Sequence, residues 1–112
     1  MTLPGRRLLP TTIGAALIAL TLAAASARAD GAVNVTIQNF DFSPMAVTVA
    51  RGTTVTWRNL DEEPHTVVGV DGSFRSGALD QADTFSMRFD RPGVYKYVCS
   101  IHPKMTASIT VK

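Results

Sequence analysis

The sequence predicts an all-β protein, an antiparallel Greek-key β-sandwich of about seven short strands in a single domain. Three observations lead there. Apolar and polar residues alternate at period two through most of the chain, the pattern of half-buried strands. Turn residues interrupt that alternation at intervals of roughly 8–12 residues, the spacing of sandwich strands. No segment beyond residue 30 carries the 3.6-residue apolar stripe of a helix.

Taken in order, Val33, Val35 and Ile37 alternate with Asn34, Thr36 and Gln38, which makes the first strand. Ser43-Pro44 turns the chain into a second run in which Val47 and Val49 flank Thr48. Arg51-Gly52 precedes a third, with Val55 and Trp57 about Thr56, and a further strand is expected to open at His65 and carry Val67 on the same face. Asp71-Gly72 is a turn. Phe85, Met87 and Phe89 then alternate with Ser86 and Arg88, and Arg91-Pro92-Gly93 separates that strand from Val94-Tyr95-Lys96-Tyr97-Val98-Cys99. Ile109 and Val111 close the pattern. Because side chains alternate between faces, Tyr95, Tyr97 and Cys99 point the same way. Inward tyrosines therefore carry the thiol into one end of the sandwich.

The first 29 residues read as an export signal: Arg6-Arg7, an apolar stretch from Ile13 to Ala25, and Ala27-Arg28-Ala29 before Asp30. The apolar run is shorter than the roughly 20 residues of a spanning helix. The division expected is a signal at 1–29 and one domain at 30–112, cleaved near Ala29/Asp30. Whether export follows the general or the twin-arginine route stays open, as does retention of the leader as an anchor. Losing Arg6, Arg7 and Arg28 reduces the 11 basic residues to 8, against 9 acidic ones. The mature charge is then near −1, which removes the basic surface that nucleic acid would need. A domain this small sits near the margin of stability. Its single cysteine cannot form an internal disulfide, so the thiol calls for another use.

That use is suggested by spacing. Cys99 is followed by His102 and Met105 in the run Cys-x-x-His-Pro-x-Met, and the other histidine, His65, follows Pro64 in a second loop-like segment. A thiolate, two imidazoles and a thioether form a soft, mixed donor set that suits copper better than calcium, magnesium or catalytic zinc. With a weak axial thioether, it is the set of a trigonal blue-copper site. Taken singly, each residue has a duller reading, since free cysteine is often a small buried hydrophobe. Four such coincidences at one end of a sandwich favour the metal. Asp61, Glu62 and Glu63 read as a solvated turn, and Trp57, Phe85 and Phe89 as core. Ser100 has no partner placed to orient it, so a nucleophilic triad is not expected.

The runs Val55-Thr56-Trp57-Arg58-Asn59, Pro64-His65 and Gly93 through Met105 resemble the cupredoxin family of small type 1 blue copper proteins, most closely its amicyanin and plastocyanin types. The resemblance covers Val33 to Lys112. It implies one copper per chain, with His65, Cys99 and His102 in the trigonal plane and Met105 as the long axial ligand. It implies that Asn59 ties the upstream loop to the cysteine loop, and that Pro64 and Pro103 stiffen the two histidine segments by fixing φ. Ile101 stands where amicyanins carry proline, which frees an amide for the Cys99 sulfur. Lys104 replaces an aromatic residue, so His102, Pro103 and Lys104 form the expected partner surface.

The function implied is a monomeric, non-enzymatic periplasmic carrier of single electrons. Its redox partner would be of the cytochrome c, dehydrogenase or oxidase type, with no nucleic acid and no stable membrane insertion after cleavage. Copper carriage or delivery without a primary electron-transfer role is the alternative.

Overall fold

A computed structural model describes residues 31–112, together with residues 2, 4 and 5. The expected signal, apart from those three residues, lies outside the described residues. Among the described residues no helix is long and apolar enough to cross a membrane.

Among the described residues, eight strands form two four-stranded sheets. They are β1 (Ala32–Gln38), β2 (Asp41–Ser43), β3 (Ala46–Val49), β4 (Thr53–Asn59), β5 (Val68–Gly69), β6 (Thr84–Phe89), β7 (Gly93–Val98) and β8 (Thr106–Val111). One sheet has the order β2-β1-β4-β6 and the other β3-β8-β7-β5. The sandwich is as expected, but its sheets are mixed rather than purely antiparallel. β1 runs parallel to β4, and β3 parallel to β8. Strand alternation reads which face is buried; it carries no information on which neighbour a strand pairs with.

The alternation lands where it should. Val35, Ile37, Val55, Trp57 and Ile109 are fully buried, while Asn34, Gln38, Arg58 and Arg88 face out. Trp57 organises the centre: it stacks on Phe74 at 6.1 Å and meets Tyr97 edge-on at 5.4 Å. Deleting such a ring costs about 3–5 kcal/mol. Gly69 is required by the same cluster, because a Cβ there would lie 2.9 Å from the Phe74 ring. Burial pushes the Tyr97 hydroxyl up to about 12, against the opposing influence of Trp57, so the phenol stays protonated.

One strand differs from expectation. His65 does not open a strand, since β5 is only Val68–Gly69. His65 instead makes an isolated bridge to Leu79, donating N–H to the Leu79 carbonyl at 3.0 Å and accepting in return at 2.7 Å. This pins the loop backbone without a full ladder, and leaves both Thr66 and Val67 buried.

Candidate metal centre

At one end of the sandwich the chain brings together residues from three connections. β7 ends at Val98 and delivers Cys99 directly beyond it, on the Tyr97 face; both are fully buried. The following loop is closed by its own backbone. The Met105 amide donates to the His102 carbonyl at 2.9 Å, and the Cys99 amide to the Met105 carbonyl at 3.1 Å. This brings the His102 ring beside the thiol, and Met105 is buried where the loop closes. His65 arrives from the connection between β4 and β5, fully buried.

The donor atoms converge. Cys99 Sγ lies 3.8 Å from His65 Nδ1 and 3.7 Å from His102 Nδ1, and the two Nδ1 atoms are 3.2 Å apart. A single point lies roughly 2 Å from all three, the bond length of first-row metals to nitrogen and sulfur. The tautomer of His65 supports that reading. Its Nε2 is 2.8 Å from Asp61 Oδ2, and an ionised carboxylate only accepts. Nε2 therefore carries the proton and Nδ1 presents a bare lone pair toward the other two donors. Converging lone pairs call for a cation between them.

The sulfur is prepared for the same purpose. Burial pushes the Cys99 thiol up, but hydrogen bonds to the sulfur, with the Thr66 amide foremost and the His102 amide beside it, outweigh burial and lower the thiol to about 6. The Thr66 amide is 3.4 Å from Sγ and its hydroxyl 3.8 Å. Thr66 Oγ1 also accepts the Ser100 amide at 2.8 Å and lies 2.8 Å from the Ser100 hydroxyl. One threonine thus joins the His65 loop to the cysteine loop.

Two expected supporting roles fall elsewhere. Asn59 is buried, but it does not reach the cysteine loop. Its side-chain amide donates to the Glu63 and Leu79 carbonyls at 2.8 and 2.9 Å, and its oxygen accepts the Asp61 amide at 2.9 Å. Its capacity is spent inside the upstream loop, and Thr66 makes the link between loops. The amides that act on the sulfur are those of Thr66 and His102 rather than that of Ile101, whose side chain is exposed. Pro64, Pro103 and Lys104 are exposed on the loops beside the two histidines.

Sequence reasoning missed three residues. Thr66 lies next to a ligand and carries no signal beyond that. Asp61, read as a solvated turn, has a side chain only 10% exposed, held against His65. Its place four residues before His65 was the available hint. Burial pushes the Asp61 carboxyl up, yet the Phe40 and Asn39 amides and His65 hold it below its ordinary 3.8. Phe40 is the third. Asn39 and Phe40 form the two-residue turn from β1 to β2 with φ of 53° and 59°, the left-handed pair of a type I′ turn. That conformation costs a side chain roughly 1–2 kcal/mol. Here it sets the Phe40 ring edge-on to His65 at 5.2 Å and to His102 at 4.9 Å.

The fold and site together define a β-sandwich with a His-Cys-His-Met constellation at one end, buried except for the half-exposed His102. Residues 11–111 match the model of the cupredoxin-like domain, and the chain belongs to that family. It is 33% identical over 103 residues to amicyanin-alpha of Methylorubrum extorquens, across 88% of this chain and 87% of that protein. A purple cupredoxin from Nitrosopumilus maritimus superposes with a TM-score of 0.66 at 34% identity, over 71% of this chain and 99% of the other. A methionine-to-alanine mutant of amicyanin in its Cu(I) form gives 0.67 at 31%, over 74% and 84%. Copper is the cofactor, and His65, Cys99 and His102 with Met105 fit a type 1 site.

Proposed function

We propose that this protein is a periplasmic carrier of single electrons, with His65, Cys99, His102 and Met105 as its metal ligands. When bound, copper supplies one-electron exchange between Cu(I) and Cu(II). The observation that carries the reading is the asymmetry of the donor set: thiolate and one imidazole buried, the other imidazole half-exposed. His65 and Cys99 fix the positions of their donor atoms, Thr66 holds the two ligand loops together, and Met105, buried where the cysteine loop closes, would supply the thioether. His102 presents a ring edge to the surface, where an electron enters or leaves. Buried, hydrogen-bonded ligands resist release of the metal, which favours electron transfer over copper delivery.

Four protein donors leave no place for a substrate, so the reading is of a carrier and not an enzyme. The partner is a redox protein of the cytochrome c, dehydrogenase or oxidase type, met by a monomer through Phe40, Ile101, His102, Pro103 and Lys104. Residues 1–29 serve as the export signal of the domain at 30–112, and N-terminal sequencing of periplasmic protein would read Asp30 first.

The test is spectroscopic. Cu(II)-loaded protein shows an intense sulfur-to-copper band in the visible that bleaches on reduction, and Cys99→Ser abolishes it. Weak, tetragonal-type absorption alone would refute the reading.

A further inference from the structure

The Asp61 carboxylate receives three donors from two places, the β1–β2 turn and the His65 ring. The Asn39 amide binds Oδ1 at 2.7 Å, and the Phe40 amide binds Oδ2 at 3.0 Å. His65 Nε2 binds the same Oδ2 at 2.8 Å. The first two contacts stabilise a left-handed turn that places a phenylalanine where glycine is favoured. The third fixes the ring of a ligand. One side chain therefore stands between a ligand imidazole and the aromatic ring that covers both ligand imidazoles.

We propose that Asp61 is a positioning residue of the copper centre: it locks His65 with Nδ1 toward the metal and seats Phe40 as a cap over both imidazoles. The proposal rests on the copper reading above. The physical basis is twofold. A carboxylate accepting the Nε2 proton selects one tautomer and makes Nδ1 a stronger donor. That favours the more highly charged Cu(II) over Cu(I). The cap acts separately, through contact. A backbone strained into this shape is retained only where its surroundings hold it, and what holds it is the carboxylate that orients His65. The edge-on ring limits rotation of His102 and keeps water from the donor atoms beneath it.

The test uses the full chain as wild type, Asp61→Asn and Phe40→Gly. Nitrogen NMR of the copper-free chain should show His65 only as the Nε2–H tautomer in wild type and Phe40→Gly, and as a mixture in Asp61→Asn. With copper, Asp61→Asn should weaken Cu(II) binding about tenfold relative to Cu(I), a rise in potential of about 59 mV. Phe40→Gly relieves the turn and should hold its potential near wild type, but lose copper to a chelator about tenfold faster.

A wild-type His65 protonated on Nδ1 overturns the proposal. So does an Asp61→Asn protein with wild-type tautomer and potential, whatever its melting temperature. Unchanged chelator kinetics in Phe40→Gly removes the cap. Should wild type lack the sulfur-to-copper band, the copper reading fails on its own, and the copper-free tautomer measurement still decides the pairing of Asp61 with His65.

Discussion

The loops bearing His65 and His102 present the same atom to the same point, yet they are built differently. The His65 loop is fastened throughout: a backbone bridge to Leu79, the Asn59 amide across its base, and the Asp61 carboxylate on the ring. The His102 loop is a short closure between β7 and β8, tied by two backbone hydrogen bonds at Met105. Among the described residues, no side chain or carbonyl hydrogen-bonds His102 Nε2. The difference separates holding a metal from exposing it. A ligand can be anchored or accessible, and this chain uses one histidine for each.

The largest effect that would break this comparison comes from removing each ring. His65→Gly should cost about 3 kcal/mol of stability, because it leaves a buried void and strands the Asp61 carboxylate. Added imidazole should not restore the visible band. His102→Gly should cost about 1 kcal/mol, and millimolar imidazole should restore the band through the opened surface. Equal rescue of both variants, read by absorption titration, would show that the loops are equivalent.

A second measurement concerns the thiol that both rings face. Its pKa is about 6 in the folded copper-free chain against 9.0 for the free side chain. The unfolded chain therefore holds a proton between those values that the folded chain has lost, and stability rises with pH there. Full benefit is present above about 9 and is lost as pH falls through about 6. Denaturant melts of the copper-free chain should follow this with a slope of up to about 1.4 kcal/mol per pH unit. Cys99→Ala should flatten it.

Thr66→Val tests the tie between the loops. It leaves the Ser100 amide and hydroxyl without their partner, and should cost about 1–3 kcal/mol. Removing the hydroxyl from the sulfur should also lower the reduction potential, by making the thiolate a stronger donor to Cu(II). Voltammetry beside a thermal melt checks both. The smallest effect is expected at Lys104, an exposed cation beside the accessible histidine. Lys104→Glu should leave spectrum and stability unchanged, slow electron transfer to an acidic partner, and reverse its dependence on ionic strength. An unaltered rate at low salt would detach Lys104 from the contact surface.

How much of this was legible in the sequence follows the same division. His65, Cys99, His102 and Met105, the proposed ligands, stood out because their chemistry is rare and their spacing narrow. The faces of the strands stood out because alternation has only two phases. Strand pairing did not, since nothing local in Ala46–Val49 announces Thr106–Val111 as its parallel neighbour. Nor did the supports. Asp61, Thr66 and Phe40 are ordinary residues whose roles come from what the fold sets beside them. Asn59 was assigned a partner across the site, while the geometry gave it nearer carbonyls first.

The parallel pairing of β3 with β8 has a kinetic consequence. Ala46 lies beside Ser108, and Val49 beside Val111, so this sheet cannot close until segments far apart in the chain have met. The loop from Cys99 to Met105 leads directly into β8. Three ligands therefore gain their positions only as that distant closure is made, and high sequence separation slows such closure. Before that closure Cys99, His102 and Met105 are neighbours along the chain while His65 lies far from them in sequence, so the converged set of four donors is complete only when the sandwich is.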